Sequence, residues 1–441
     1  MANTTRHTRR KFLRHTTAGA AAAIAVPYFV PARVLGGAGG TPPSDRIVMG
    51  VIGTGGMGKA NLDMFMNEPE VQMVAVCDVA AGHRQGAADM ANKKYGNEDC
   101  KQFDDFRTLL ENDDINAVVV ATPDHWHALA TIAALRAGKD VYCEKPLANS
   151  IGEGRAMCDA VKETGRILQC GSHERSNANV RKACELVRNG RLGKISVVRV
   201  SLPCDDPHHK EAMALTDVPP PMPVPEGFDY NFWLGHTPEA PYTEKRCHFW
   251  WRFNLAYGGG EMTDRGAHVI DIGQLALGMD DTGPVSYQAS GTASKTSLYN
   301  TPFDFSFENV YANGVRMIGQ SERGPRGIGF EGDKGKIFVA VHGGDLTAEP
   351  ETLLNEKIGD DEIQLGRTPS HRRNFLDCVK SREQPFATAE IGHRTATICH
   401  LNNLAIRLGK AFAWDPVKEL TDDDEANAML TPSMRSPWTL G

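Results

Sequence analysis

This sequence of 441 residues contains ten cysteines but lacks any pattern that would pair them. None of the ten forms a C-x-x-C pair, and several lie inside apolar runs as small core residues do. The ten are Cys77, Cys100, Cys143, Cys158, Cys170, Cys184, Cys204, Cys247, Cys378 and Cys399. This scatter argues against a disulfide framework and a cysteine-based zinc site, and we expect no bound metal.

Beyond the N-terminus, basic residues are outnumbered by acidic ones, and long hydrophobic runs are scarce. The net charge is −7, and the first 40 residues carry six basic residues and no acid, so the remainder carries −13. An acidic body argues against nucleic acid and anionic membranes as partners. The mildly apolar stretch Ala18–Val30 contains Pro27 and is too short to span a bilayer. No internal repeat is evident.

The N-terminus has the pattern of an export signal. Thr8–Leu13 reads TRRKFL, an alanine-rich apolar core follows, and a small-residue region ends near Gly40. Residues 1–40 are therefore predicted to be a twin-arginine signal peptide that directs the protein to the periplasm or otherwise out of the cytoplasm. This route exports folded proteins, which suits a protein that takes up a cofactor before it leaves.

The remaining length predicts two domains. From residue 41 to 172, strand-like and helix-like stretches alternate, which predicts an α/β dinucleotide-binding (Rossmann) domain with a doubly wound parallel sheet. Residues 173–441 are predicted to form an α+β domain with a large open, mostly antiparallel sheet, because hairpin signals such as Asn313-Gly314 recur there. We expect this second domain to bind substrate and to mediate homo-oligomerisation as a dimer or tetramer through its sheet.

A glycine-rich turn is the strongest motif in the first domain. Arg46–Gly58 reads RIVMGVIGTGGMG, in which a β-branched run leads into G-x-G-x-x-G and then a helical pattern. This order predicts the turn that binds the pyrophosphate of a dinucleotide. The predicted contacts in the turn are Gly53, Gly55, Gly56, Met57 and Gly58.

The next apolar run, Val71–Asp78, ends in a carboxylate about 20 residues after the turn, as ribose binding requires. Asp78 favours NAD, because a carboxylate there binds the ribose diol and repels a 2′-phosphate. Arg84 nearby leaves NADP open as the cofactor.

Two further strand ends carry a family resemblance. One reads Thr122-Pro123-Asp124-His125-Trp126-His127, and the next ends Glu144-Lys145-Pro146. With these T-P-x-x-x-H and E-K-P segments the chain resembles the Gfo/Idh/MocA oxidoreductases, in which both segments line the nicotinamide. The resemblance implies that Thr122, Pro123, His127, Glu144 and Lys145 contact the cofactor and that Lys145 is the catalytic lysine.

The segment Gly258–Gly278 carries the matching second half of the site. Asp264 and His268 lie four residues apart and are predicted to share one face of a helix. They match the D-x-x-x-H motif of the same family, which implies a catalytic set of Lys145, Asp264 and His268. Arg175, Arg252 and His268 are predicted to bind substrate.

These patterns favour an exported NAD(P)-dependent oxidoreductase that acts on a secondary alcohol of a sugar, cyclitol or sugar derivative. We expect the cofactor to be tightly bound, because free nicotinamide nucleotides are scarce outside the cytoplasm. Two alternatives remain open at this point. One is a glycoside hydrolase that works through transient oxidation by NAD, and the other is a sugar- or nucleotide-binding protein without turnover.

Overall fold

A six-stranded parallel sheet organises the first part of the chain. The computed structural model describes residues 45–441, so the predicted signal peptide lies outside the described residues. The strands are β1 (Ile47–Ile52), β2 (Val71–Cys77), β3 (Lys101–Phe103), β4 (Ala117–Val120), β5 (Asp140–Cys143) and β6 (Leu168–Cys170). Their order across the sheet is β3-β2-β1-β4-β5-β6, so the direction of winding changes between β1 and β4. Ligands of such sheets bind beyond the carboxyl ends of the strands at this change.

Helices connect these strands and cover both faces of the sheet. They are α1 (Gly56–Met66), α2 (Ala81–Tyr95), α3 (Phe106–Leu110), α4 (Asp124–Arg136) and α5 (Ile151–Thr164). The strand β4 reads AVVV and is buried throughout, as expected where a parallel sheet is covered on both sides. Ser150 caps the N-terminus of α5, because its hydroxyl accepts from the Glu153 amide and donates to the Glu153 carboxylate.

The second part of the chain is built on a nine-stranded mixed sheet. Its strands are β7 (Ile195–Ser201), β8 (Ser286–Thr292), β9 (Asp304–Val310), β10 (Arg316–Gln320), β11 (Gly327–Gly332), β12 (Gly335–Ala340), β13 (Leu346–Glu349), β14 (Phe412–Asp415) and β15 (Leu420–Thr421). The order is β13-β12-β11-β7-β10-β9-β8-β14-β15, and only the β7–β10 pair is parallel. The predicted fold class, a parallel Rossmann domain followed by an α+β domain, is confirmed.

The second part of the chain also contains helices, and not all of them lie on this sheet. They are α6 (Ala178–Arg188), α7 (Pro207–Ala214), α8 (Tyr230–Leu234), α9 (Glu261–Asp264), α10 (Gly266–Leu277), α11 (His371–Ser381), α12 (Ala389–Leu408) and α13 (Asp424–Asn427). The helix α11 packs into the core of the Rossmann domain through Phe375 and Leu376. Side chains of α6, α10 and α12 share one apolar core with strands β7 to β12. The opposite face carries exposed charged side chains, among them Arg199, Arg316 and Lys336.

Two features differ from the expectation. The sequence patterns do not predict the edge strand β3 or the helix α3, because three and five residues are too few to show a reliable apolar periodicity. The predicted single helix over Asp264 and His268 is divided at Arg265 into α9 and α10. Within residues 45–441, no helix is both long and apolar enough to cross a membrane.

Candidate active site

A cavity of about 330 Å³ lies at the change of winding between β1 and β4. The Rossmann domain lines it with the ends of β1, β2, β4 and β5, and the second domain adds Asp264 and a group of aromatic side chains. The aromatic residues are Phe228, Phe232, Trp233, Phe249 and Trp251. The cavity is therefore lined by backbone and charged groups together with aromatic rings.

The glycine turn is shaped for a group that approaches its backbone closely. Gly53 has a φ of +85°, and a Cβ there would lie 2.7 Å from the amide nitrogen of Thr122. A Cβ on Gly58 would lie 1.9 Å from the carbonyl oxygen of Gly53. A Cβ on Gly55 or Gly56 would meet nothing within 4 Å, so both face open space at the start of α1. This cradle fits a dinucleotide pyrophosphate.

Asp78 stands at the end of β2, beside that cradle. Its carboxylate accepts hydrogen bonds from the backbone amides of Thr54, at 2.7 Å, and Ala80, at 2.9 Å. Burial raises the pKa of Asp78, but hydrogen bonds from His83 and from these amides outweigh it and bring the pKa below its usual value. The group therefore remains an anion, as recognition of a ribose diol requires.

Lys145 and Asp264 form the central polar pair, although 119 residues separate them in sequence. The Lys145 ammonium donates to the Asp264 carboxylate oxygen Oδ1 and to the Asp264 backbone carbonyl, both at 2.7 Å. The side chains are 14% and 18% exposed, respectively. The pair is therefore largely desolvated but open to the cavity, which both residues line.

Two further cations face the Asp264 carboxylate. Arg265 lies 3.1 Å and Arg252 lies 3.5 Å from the oxygen Oδ2. Burial raises the pKa of Asp264, but the charges of Lys145, Arg252 and Arg265 outweigh it and hold the pKa well below its usual range. The carboxylate is thus ionised throughout the physiological pH range and keeps Lys145 in place.

All the predicted cofactor contacts at the ends of β4 and β5 line the cavity, but the polar atoms of His127 are already bound to backbone. Thr122, Pro123, Glu144 and Lys145 line the cavity, and the Glu144 carboxylate accepts from the Asn61 side-chain amide at 2.7 Å. His127 also lines it, but both of its ring nitrogens face the backbone.

His127 has Nδ1 2.7 Å from the Pro146 carbonyl oxygen and Nε2 3.0 Å from that of Thr122. Burial lowers the pKa of His127 to about 4, so the ring is neutral. The ring of His127 thus connects the end of β4 to the turn after β5 through both nitrogens, and its predicted contact with the cofactor stays a prediction.

His268, the third residue of the predicted catalytic set, does not line the cavity. It is 3% exposed, and its ring packs against those of His173, with 4.5 Å between ring centroids, and His342, at 5.2 Å. Burial lowers the pKa of His268 well below its usual value, and the charge of Lys145 adds to the effect. The structure thus places His268 within a cluster of three imidazoles.

Of the predicted substrate residues, Arg252 lines the cavity and Arg175 does not. The Arg175 side chain is 3% exposed, and its guanidinium binds the carboxylates of Asp271 at 2.7 Å and Asp280 at 2.6 Å. A buried cation needs such partners. We therefore correct the expectation for Arg175, whose guanidinium joins the segment after β6 to α10.

Three site residues escaped the sequence reading. Asp124 lines the cavity at the start of α4, and burial raises its pKa well above the usual range. His173 and His342 join His268 from segments that are distant in sequence. Asp124 directly follows the T-P dipeptide, so the sequence motif could have predicted it as a site residue. No local sequence pattern predicts that His173 and His342 lie near His268.

A dinucleotide cradle that opens beside a lysine–carboxylate pair is typical of nicotinamide-dependent oxidoreductases. Comparison with known families makes this specific. The model of the oxidoreductase-family NAD-binding Rossmann fold matches residues 47–172, and the model of the C-terminal alpha/beta domain of that family matches residues 176–440. The chain therefore belongs to the Gfo/Idh/MocA oxidoreductase family, and it is an NAD(P)-dependent dehydrogenase or reductase.

Individual relatives are similar over most of their length. The chain is 26% identical to D-glucoside 3-dehydrogenase of Escherichia coli over 371 residues, which cover 79% of this chain and 92% of the relative. It is 31% identical to myo-inositol 2-dehydrogenase of Thermotoga maritima over 362 residues, which cover 78% and 91%, respectively.

Solved structures show the same fold. Aldose-aldose oxidoreductase of Caulobacter crescentus, complexed with glycerol, superposes with a TM-score of 0.61 at 20% identity. This match covers 83% of the present chain and 99% of the other. The WlbA dehydrogenase of Bordetella pertussis, in complex with NADH and UDP-GlcNAcA, gives a TM-score of 0.60 at 18% identity, with coverage of 84% and 99%.

Proposed function

We propose that this protein oxidises a secondary alcohol of a sugar, cyclitol or sugar derivative, or reduces the corresponding ketone. The observation that carries this proposal is the Lys145–Asp264 pair, 2.7 Å apart, in the cavity that the glycine turn also lines. The relatives support the substrate class, since two of them are named as dehydrogenases of a glucoside and of myo-inositol. The relatives named here do not favour the hydrolase or binding-protein alternatives.

Each polar residue of the site has a separate chemical role in this proposal. Bound nicotinamide supplies the carbon that accepts or gives the hydride. The Lys145 ammonium donates a hydrogen bond to the reacting oxygen, and Asp264 fixes the position of that ammonium. His268, neutral because of its burial, is the proposed acceptor of the hydroxyl proton during oxidation, although its side chain does not line the cavity in this structure. Arg252 and the ring of Trp251, 4.5 Å apart, form the wall against which a polyol would lie.

The cofactor proposed is NAD. The ionised Asp78 carboxylate suits a ribose diol and repels a 2′-phosphate. Arg84 lies beside it and donates to the backbone carbonyl oxygen of Asp78 at 2.5 Å. Its guanidinium could bind a 2′-phosphate, so NADP is the alternative cofactor.

The protein is proposed to be exported with its cofactor tightly bound. The twin-arginine pattern at Arg9 and Arg10 supports export after folding, and an exported enzyme needs a cofactor that stays bound and is recycled by a second substrate. Replacing both arginines by lysine should retain the protein in the cytoplasm in a fractionation assay. Rapid loss of nucleotide on dialysis would contradict tight binding.

The exposed face of the nine-stranded sheet is the proposed surface for homo-oligomerisation. Val197, Ile318 and Phe338 are half-buried on this face among charged side chains. An open sheet with a mixed apolar and charged face is well suited to self-association.

The experiment that tests the function begins with the purified mature protein. Denaturation should release NAD(H) or NADP(H), which chromatography identifies. The native protein is then mixed with sugars and inositols while the absorbance of the bound cofactor is recorded. A polyol that changes the redox state in the native protein but not in Lys145→Ala supports the proposal. Bound nucleotide that no polyol reduces would favour a binding protein, and release of an aglycone without net reduction would favour a hydrolase.

A further inference from the structure

A segment of the second domain reaches back to the turn between β2 and α2. The Ala81 amide donates to the Gly227 carbonyl oxygen at 2.8 Å, and the Asp229 amide donates to the Val79 carbonyl oxygen at 3.0 Å. We call residues 227–233 the strap, because they connect the second domain to the end of β2. The strap is therefore attached to the element that carries the predicted ribose-binding carboxylate.

The far end of the strap is fixed to α3 and α4. Nε1 of Trp126 and Nε2 of His125 each lie 2.9 Å from the Trp233 carbonyl oxygen. The ring of Phe232 stacks on that of Phe106, with 6.1 Å between the ring centroids. Because the Rossmann domain holds both ends of the strap, the strap forms a fixed wall rather than a loose loop.

The strap adds to the part of the cavity where adenosine is expected. Asp78 is placed to bind the ribose diol of the adenosine half, so the adenine base must lie next to it. The cavity is lined there by Val79, Ala80 and His83 of the Rossmann domain and by Phe228 and His248 of the second domain. His83 links the two sets, because its Nδ1 lies 3.6 Å from the Asp78 carboxylate and its ring lies 5.4 Å from that of His248.

Phe228 and His248 present aromatic rings at this end of the cavity. Their centroids are 5.5 Å apart, and the ring planes are inclined by 34°. Partial burial lowers the pKa of His248, so its ring is neutral at pH 7. Nucleic acid bases stack on such aromatic side chains. The two rings therefore fit the flat, neutral adenine of a dinucleotide.

His248 has a backbone conformation that its surroundings must maintain. Its φ is 55°, in the left-handed region that residues with a side chain seldom adopt. The preceding Cys247 is fully buried, at 0% exposed, and anchors the segment. Strained backbone of this kind clusters where side chains clamp a ligand.

We propose that Phe228 and His248 bind the adenine of the nicotinamide dinucleotide, and that the strap retains the cofactor by closing the adenosine end of its site. The inference rests on the proposed function in that the ligand is NAD or NADP. Its consequence is that the nucleotide leaves only when the strap detaches from the turn between β2 and α2. Tight retention then has a structural basis within a single chain.

The first test compares nucleotides with and without adenosine on the full mature chain, stripped of cofactor. The probes are NMNH, which lacks adenosine, and NADH or NADPH, whichever the native protein releases on denaturation. Fluorescence of the reduced nicotinamide reports the binding of each. In Phe228→Ala and His248→Asn, the affinity for the dinucleotide should fall about 10-fold or more, because the stacking of the base is lost. The affinity for NMNH should change less than about 2-fold.

His208→Asn is the matched control for His248→Asn. His208 does not line the cavity, and both affinities should stay unchanged. Asparagine tolerates the positive φ of His248, so His248→Asn removes the imidazole without adding strain. Equal losses for the dinucleotide and for NMNH, or an unchanged dinucleotide affinity in either Phe228→Ala or His248→Asn, would overturn the adenine assignment.

The second test detaches the strap without changing a side chain that lines the cavity. Ala81 is the first residue of α2, where proline is tolerated, and Ala80 before it is extended, as proline requires. Ala81→Pro removes the amide that bonds to Gly227. Release of the dinucleotide in a displacement experiment should accelerate about 5-fold or more, as expected for one lost hydrogen bond.

Ala178→Pro is the control for Ala81→Pro. It places proline at the first residue of α6, after the extended Asn177, and should leave the release rate unchanged. An unchanged release rate in Ala81→Pro, or equal acceleration in both variants, would overturn retention by the strap.

The adenine site and turnover fail separately. A dinucleotide that Phe228 and His248 hold as expected, in a protein that oxidises no polyol, would support the site and refute the proposed function. Oxidation of a polyol, with an unchanged ratio of dinucleotide to NMNH affinity in both variants, would refute the site and leave the proposed function intact.

Discussion

The Asp264 carboxylate faces three cations, and this arrangement decides what Lys145 can do. Lys145 shares Asp264 with Arg252 and Arg265. Because the carboxylate is anchored by the two arginines, the ammonium is held at a fixed position at the edge of the cavity. A substrate oxygen can therefore meet an oriented N–H donor without first ordering a long side chain.

Replacing Lys145 should remove this donor and leave the fold unchanged. For Lys145→Met we expect kcat to fall by about 10²–10⁴, while the affinity for the nicotinamide cofactor changes by less than about 10-fold. Steady-state kinetics and cofactor fluorescence would measure the two quantities. Lys162→Met is the control, since Lys162 is 68% exposed on α5 and its loss should change neither. Retained turnover in Lys145→Met would exclude Lys145 from the chemistry.

Asp78 should determine the preference for NAD. Asp78→Ser removes the carboxylate at the end of β2, and the affinity for NAD should fall about 10-fold or more, since hydrogen bonds to charged groups contribute ~1.5–3 kcal/mol. The affinity for NADP should fall less or rise, because the repulsion of a 2′-phosphate is lost. Calorimetry on protein stripped of nucleotide measures both. Asp104→Ser removes an equal charge from the rim of the same cavity and should leave the preference unchanged.

At the scale of elements, Arg155 joins three segments of the two domains. It lies on α5 and binds Glu390, at the start of α12, and Glu419, between β14 and β15. Glu419 also lies 2.8 Å from His393. The network thus connects the Rossmann domain to the longest helix of the second domain, and it is only partly exposed.

This network should make stability depend on pH in the acid range. Hydrogen bonds from Arg155 lower the pKa of Glu390 from 4.5 to about 2. A carboxylate with a lowered folded-state pKa stabilises the fold above pH 4.5, and this contribution is lost as the pH falls toward 2. Arg155→Gln should therefore reduce the unfolding free energy by ~1–2 kcal/mol at pH 7, after allowance for partial exposure, and by less at pH 3.

Denaturant unfolding at several pH values would measure this difference. Arg136→Gln provides the control, because the Arg136–Glu163 pair is 44% and 55% exposed and should contribute less than about 0.5 kcal/mol. A destabilisation by Arg155→Gln that stays constant from pH 7 to pH 3 would show that the carboxylates of the network do not carry it.

At the scale of the whole molecule, the exposed face of the nine-stranded sheet governs the proposed self-association. Ile318 lies in the central strand β10 on that face. Ile318→Asp should convert the proposed oligomer to monomers in sedimentation velocity, because a desolvated charge at an apolar interface is costly. The same substitution should leave the monomer folded. Val417→Asp is the control, since Val417 is 90% exposed in the loop between β14 and β15. A wild-type protein that sediments as a monomer would refute the proposed interface.

Several features of the fold and site follow from sequence because they are local. The alternation of apolar strands and helices predicts the parallel sheet. The spacing of Gly53, Gly55 and Gly58 predicts the turn, because Gly53 adopts a positive φ there and a Cβ on Gly58 would clash with Gly53. The short strand β3 lacks such a pattern. For Lys145 and Asp264 the sequence names the residues through a resemblance, and only the fold brings them within 2.7 Å.

By itself, then, the sequence determined the class of fold, the glycine turn, the acidic end of β2 and the candidate pair of Lys145 and Asp264. Tertiary structure alone decided which polar groups are buried and with whom. The sequence predicted that Arg175 binds substrate, whereas in the fold its guanidinium pairs with the carboxylates of Asp271 and Asp280. His173, His268 and His342 meet because separate elements of the fold converge there. The physical reason is that desolvation and pairing of polar groups depend on neighbours distant in sequence, which no local pattern specifies.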